Sequence, residues 1–403
     1  MKKFFMFAAM ASVALVSCVK NEPAMPVAQQ DEISFESPLM AVPVKAVAEK
    51  TAFAQADKFT VWGYFSATAY DDNLGDIYMN DVDCVKNGDK TNWHAESGKY
   101  YWPANGYLNF VACAPNDAAF AVQTNTPSVS ATAGVISIVN YEVPATANED
   151  LLVSERSYNC TKTLADANTT ANPWNNGATL TFKHVLSSIV FKVKSAEDYA
   201  GASPIATVLQ VTGVKINGVN YKGNFNQIYD TEDLPQMDFT KDMWTEVPAD
   251  VTNYTAFTST TAASAALNGV YTDVQANTEG SAIPLSTTAK WVMNNGADRV
   301  NNKTDLIVLP QAIPANAEVE VTYTIWNTTM GESTLPHAAQ TAKAKLWKTV
   351  DEVTTGITKW EAGKRYIYTI TVSLDEITLD PEVAAWDAGT EVVPGENATP
   401  VYN

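Results

Sequence analysis

The residues best placed to do chemistry in this 403-residue chain stand at its start. Lys2-Lys3 precede an apolar run from Phe4 to Val16, which Leu15-Val16-Ser17-Cys18 closes. A basic start, a short apolar stretch and a small residue before the break have the order of an export signal. The run falls short of the roughly 18 apolar residues that a membrane-spanning helix needs. Branched Leu15 lies three positions before Cys18, and small Ser17 directly before it. Cleavage is therefore expected between Ser17 and Cys18, with the Cys18 thiol taking a diacylglycerol. Such an anchor holds a chain at a membrane until the tether behind it is cut.

The remaining chemistry is sparse. Cys84, Cys113 and Cys160 lie in no C-x-x-C or metal-ligand spacing, and three thiols allow one disulfide at most; buried free thiols are the favoured reading. His94, His184 and His337 stand far apart without ligand partners beside them, so no zinc site is expected. The acidic stretch with Asp71, Asp72, Asp76, Asp81 and Asp83 fits a calcium loop in no register and reads as solvated. There is no G-x-S-x-G elbow, H-E-x-x-H helix, Walker loop or dinucleotide fingerprint. The expectation is a non-enzyme with no cofactor and no metal. In "NWHAESGKYYWP", Trp93 and Trp102, with Tyr100 and Tyr101, could stack on sugar rings as a glycan contact, although filling a core is the commoner use of such aromatics. The net charge of −19 becomes about −21 once Lys2 and Lys3 leave with the signal. That surface repels phosphate backbones, and no nucleic acid is expected as a partner.

Strands must hold these side chains. Residues 18–30 are polar and aperiodic, a flexible tether. Beyond them the apolar period is two. Phe59, Val61, Gly63 and Phe65 share one strand face, and Thr60, Trp62 and Tyr64 the other. Val319, Val321, Tyr323 and Ile325 share a face, as do Tyr366, Tyr368, Ile370, Val372 and Leu374. Asn217-Gly218 between two alternating runs predicts a hairpin turn. Large apolar positions are even at Leu180, Phe182 and Leu186 but odd at Ile189, Phe191 and Val193, which predicts a bulge, bend or change of sheet near Ser187-Ser188. His184, on the apolar face, reads as a satisfied core residue. The Asn-rich stretch 168–178 marks a domain boundary. The expected architecture is all-β, with tandem β-sandwich domains at 31–177 and 178–403 after signal 1–17 and tether 18–30.

Taken in order, "YYWPANGYLNFVACAP" (Tyr100 to Pro115), "NEDLLVSE" (Asn148 to Glu155), "LTFKHVLSSIVFKV" (Leu180 to Val193), "LIVLPQ" (Leu306 to Gln311) and "WEAGKRYIYTITV" (Trp360 to Val372) resemble the characteristic blocks of Bacteroidales fimbrillins, the subunits of type V pili. The resemblance covers nearly the whole chain. It implies an outer-membrane lipoprotein precursor whose two sandwiches have transthyretin-like, Greek-key topology. It further implies a partner set of other fimbrial subunits, in a homo- or heteropolymer that serves adhesion at the cell surface. In that scheme a protease removes the first strand, and a carboxy-terminal strand of the next subunit refills the groove.

Carried onto this chain, the resemblance marks Ile33 and Phe35 of "DEISFES" as the displaced strand. Val383, Ala385, Val392 and Val393 become candidate donor positions. The family is commonly cut after arginine, but the arginines here are Arg156, Arg299 and Arg365, so either Lys45 or Lys50 is the cleavage site or the strand stays in place, and an uncut subunit keeps its groove occupied and accepts no donor. The second reading is a permanently anchored surface lipoprotein that binds a glycan or a host protein.

Overall fold

The computed structural model describes residues 31–36, 39–40, 57–86, 92–116, 127–144, 150–163, 177–198, 205–246, 251–258, 283–292, 305–329, 339–350, 353–374 and 376–385. The signal 1–17 and tether 18–30, with Ser17 and Cys18, and also Lys45, Lys50, Val392 and Val393, lie outside them.

The chain is all-β. The earlier strands are β1 (Leu39–Met40), β2 (Phe59–Ser66), β3 (Asp76–Val85), β4 (His94–Ala95), β5 (Tyr107–Ala114), β6 (Ser128–Thr132), β7 (Val135–Glu142), β8 (Leu152–Ser154), β9 (Ser157–Cys160) and β10 (Thr181–His184). Next come β11 (Ser187–Ser195), β12 (Ile205–Asn220), β13 (Lys222–Asn226), β14 (Trp244–Glu246), β15 (Val251–Thr258), β16 (Ile283–Pro284), β17 (Lys290–Trp291) and β18 (Leu306–Val308). The last are β19 (Gln311–Ala312), β20 (Glu318–Thr329), β21 (Gln340–Lys345), β22 (Trp347–Val350), β23 (Val353–Gly356), β24 (Lys359–Trp360), β25 (Lys364–Val372) and β26 (Ile377–Ala385). An eight-stranded sheet runs β1-β10-β8-β5-β2-β3-β4, with β9 on β5. The other large sheets run β17-β11-β25-β26 with β18 on β11, β15-β12-β20-β21 with β16 on β12, and β14-β13-β7-β6.

The eight-stranded sheet is apolar on both faces at its centre, which is why "KFTVWGYFS" alternates between two sets of large residues and not between apolar and polar ones. Phe59 and Val61 join Leu108, Phe110, Ala112 and Phe182 in one buried cluster. Trp62, Tyr64, Val111 and Cys113 point the other way, into a larger core shared with β7, β11, β12, β20 and β25.

The phase change at Ser187-Ser188 is a change of sheet. β10 pairs with β8 in the eight-stranded sheet, and β11 pairs in parallel with β25 in another. Pairing therefore crosses the expected 177/178 division at β8–β10, and again at β7–β13, where Tyr141 lies opposite Gly223. The Asn217-Gly218 expectation is corrected: β12 runs straight through both residues. Gly218 takes a positive φ of 75° at a register shift against β15, so its conformational freedom serves a bulge instead of a turn.

Where the chain changes sheets, polar side chains are buried and matched. Ser187 Oγ donates to the Glu361 carbonyl at 2.8 Å. Ser188 Oγ donates to Asp305 Oδ2 at 2.7 Å, and Arg365 Nε reaches the same oxygen at 2.8 Å. Arg365 Nη2 reaches Oδ1 at 3.3 Å, which makes the buried pair two-pronged. Removing one partner leaves the other charge buried. Asp305→Ala should cost about 3–5 kcal/mol in urea unfolding, while the double substitution Asp305→Leu/Arg365→Met recovers most of that loss.

Candidate functional site

Asp31 to Glu36 alternates charged or hydroxyl residues with Ile33 and Phe35, the pattern of a strand with one apolar face. The structure seats it between two stretches of main chain. On one side Ile33 N donates to the Tyr100 carbonyl at 2.7 Å, and Trp102 N to the Asp31 carbonyl at 3.1 Å. Phe35 and Trp93 exchange both bonds, at 2.9 and 3.0 Å. On the other side Ala178 N donates to the Ser34 carbonyl at 2.8 Å, and Glu36 N to the Ala178 carbonyl at 3.2 Å. The segment is antiparallel to its first neighbour and parallel to its second.

Its apolar face completes the smaller core. Ile33 and Phe35 are fully buried there with Phe59, Phe110 and Phe182. The Phe35 ring meets Phe110 edge-on at 5.2 Å between centroids, and Phe59 at 6.0 Å. The opposite face is polar yet also covered. Ser34 Oγ accepts a bond from Asn92 Nδ2 at 3.1 Å, and Thr179 Oγ1 donates to the Glu36 carboxylate. Lys162 Nζ stands 3.4 Å from Asp31 at the exposed end.

Each wall of this groove has its own support. The Tyr78 hydroxyl donates to the Tyr101 carbonyl at 2.8 Å and accepts from Tyr101 N at 3.4 Å, on the edge turned away from residue 32. Glu155 N donates to the Thr181 carbonyl at 2.8 Å, and the Glu155 carboxylate accepts from Met237 N at 2.7 Å. Gly177 permits the second wall to close. A Cβ there would stand 2.4 Å from Glu36 N and 2.6 Å from the Phe35 carbonyl carbon.

Of the two uses weighed for Trp93 and Trp102, the structure shows core filling, and the alternative glycan contact is corrected. Both are buried in the same core as Phe35, Trp93 with no exposure and Trp102 with 4%. Their rings have no open face for a sugar, and the Trp93 indole N–H donates to the Asp57 carbonyl at 3.2 Å. Cys84, Cys113 and Cys160 are free thiols, the first two buried. Burial, with the Asp83 carboxylate beside it, pushes the Cys84 thiol well above its usual range. His184 is a core residue whose Nδ1 lies 2.5 Å from Asp150 Oδ2. Among the described residues no three His, Cys, Asp or Glu side chains group to hold a metal, and no helix is long and apolar enough to cross a membrane.

At the other end, β26 lies at the edge of its sheet, paired along its length with β25. Val383 is opposite Tyr366 and 45% exposed, and Ala385 is opposite Lys364. Sequence reasoning found Ile33 and Phe35 but missed the walls. Tyr78, Gly177 and Thr179 carry no motif, and only the topology brings them to residues 31–36.

An all-β chain whose first core is closed by its own amino-terminal segment is the class that this geometry defines. The fimbrillin-like family model matches residues 45–386, and the chain belongs to that family. No curated protein sequence matches it. Among solved structures it is similar to a fimbrial protein from Bacteroides vulgatus, 17% identical with a TM-score of 0.55, over 88% of this chain and 99% of that one. It is also similar to the tip fimbrial protein Mfa3 from Porphyromonas gingivalis with C-terminal truncation, 11% identical with a TM-score of 0.30, over 88% and 100%. At these identities the likeness is one of fold, and of these two structures the one from Bacteroides vulgatus carries it.

Two outcomes are expected from the walls. Gly177→Ala should lower stability by about 2 kcal/mol in chemical denaturation, because backbone cannot yield to the added methyl. Gly213→Ala, where the nearest atom would be 3.5 Å away, should change it little. Burial, opposed by the Met237 N–H and by Lys183, raises the Glu155 carboxyl above its ordinary value. The folded state then binds the proton more tightly than the unfolded one, so this group's contribution is greatest at low pH and is lost as pH rises through the folded value. Glu155→Gln should therefore gain on the parent as pH rises from about 4 to about 7, read from paired urea titrations.

Proposed function

We propose that the chain is a structural or accessory subunit of a surface fimbria that contributes to cell adhesion. In this reading it is exported as a lipoprotein through Cys18, carried to the outer membrane, and joined to other fimbrial subunits by strand donation. The tandem sandwiches belong to the same reading. One observation carries it: the first core is completed by a short segment, residues 31–36, held by main-chain bonds on both sides. A guest held that way is replaceable by any strand presenting two apolar side chains at the same spacing. Family membership supports the fimbrial role.

Cleavage after Lys45 or Lys50, between β1 and β2, would turn Asp31 to Met40 into a separate peptide held by non-covalent contacts alone. Loss of that peptide bares an apolar groove, and filling it from a neighbour, head to tail, makes a contact that does not close on itself. Such contacts build filaments. Treatment of the purified full chain with a Lys-specific protease should yield SDS-resistant ladders of multimers. Monomer alone, after quantitative loss of residues 19–50, contradicts assembly by this route.

A further inference from the structure

Strand β3 is ten residues long and bonded along one side to β2. On its other side β4 reaches only Cys84 and Val85. Among the described residues no strand pairs with residues 76–82 on that side, so they form a free sheet edge. Ile77 stands on it, 51% exposed. An edge with an exposed apolar side chain is a template for pairing with another chain.

The local geometry works against such pairing. Val61 pairs with Val82 and Gly63 with Met79, so Asn80 and Asp81 together oppose Trp62 alone. Gly63 and Tyr64 are adjacent, yet their partners Met79 and Ile77 are not, which leaves Tyr78 as a second extra residue. Bulges so close together bend and twist a strand away from the flat form that edge-to-edge pairing needs. The one at Tyr78 also has an inward use, since its hydroxyl bonds the main chain of Tyr101. The one at Asn80-Asp81 faces solvent, with both residues exposed. Asp81 has a φ of 57°, in the left-handed region, where the main chain cannot continue a regular ladder.

Charge adds to shape. Asp76 flanks Ile77 and is exposed, as Asp81 is. Two copies paired through this edge would bring four carboxylates to one seam, and like charges across a strand pair are destabilising.

We infer that the outer edge of β3 is a guarded surface: the Asn80-Asp81 bulge and the carboxylates of Asp76 and Asp81 keep it from pairing with the same edge of a second copy of this chain. Other edges carry plainer guards. Pro381, which cannot donate to a ladder, lies within β26, and Lys343 and Lys345 lie along β21. The inference concerns the uncut chain with residues 31–36 in place, and does not depend on strand donation. Its consequence is that the uncut chain stays single.

The purified full chain, uncut, provides the test in sedimentation velocity over a range of concentrations, with amide hydrogen exchange to locate any contact. Asp76→Asn with Asp81→Asn removes both charges and keeps the bulge, because asparagine tolerates the left-handed conformation. Deletion of Asp81 removes the bulge and leaves Asn80 alone opposite Trp62. The parent should sediment as a monomer. The double substitution should tighten self-association about tenfold, and residues 76–82 should gain protection as concentration rises. The deletion should act in the same direction; if it does not fold, the double substitution decides alone. The inference is overturned if the double variant, shown to be folded by its urea transition, associates no more than the parent. It is equally overturned if the new contact leaves residues 76–82 unprotected, or if the parent itself pairs through them.

Discussion

Six main-chain hydrogen bonds suspend residues 31–36 between two stretches of the fold, and the rest of the amino-terminal architecture is arranged around that suspension. Without the segment, Phe59, Phe110 and Phe182 would line an open slot and not a core. Burying Ile33 and Phe35 is worth roughly 1.5–3 kcal/mol for each side chain. Ordering six residues opposes it at about 1–2 kcal/mol for each residue. The ordering cost is roughly twice the gain from burial, so the segment's hold depends on its main-chain partners and on its covalent link to β2. A single cut in that link would alter the balance.

The surrounding structure keeps the slot in shape. Tyr78 caps the outer edge of residue 101 with its hydroxyl, which leaves the inner edge free for a strand. Gly177 brings the other wall within bonding distance of backbone. Further along, the chain leaves this sheet at Ser187, and the Arg365–Asp305–Ser188 cluster secures the crossing where β11, β18 and β25 meet. These placements hold main chain in bonding register on both sides of residues 31–36.

Much of this was legible in the residues because a period of two is a direct record of burial. The faces assigned to Val319, Val321 and Tyr323, and to Tyr366, Tyr368, Ile370 and Val372, are buried, whereas Leu374 lies past the end of β25 and is exposed. The even-to-odd shift before Ile189 located the change of sheet because one residue of slip turns every side chain over. Asn217-Gly218 misled for a physical reason: a bulge and a type I′ turn both need φ above zero, and the dipeptide does not say which. Trp93 and Trp102 likewise give no sign in the sequence of whether their rings are covered. Gly177, Tyr78 and Thr179 were invisible, since their roles arise from pairings between residues far apart in the chain.

The central claim is that residues 31–36 are an integral strand of the first core while remaining a separable one. Amide hydrogen exchange on the intact protein addresses it directly. The amides of Ile33, Phe35, Trp93 and Trp102 should be strongly protected and should open together, since each bonds across the same seam. If Ile33 and Phe35 exchange within seconds while β2 and β5 stay protected, the segment is no part of the core and the account of the groove is wrong.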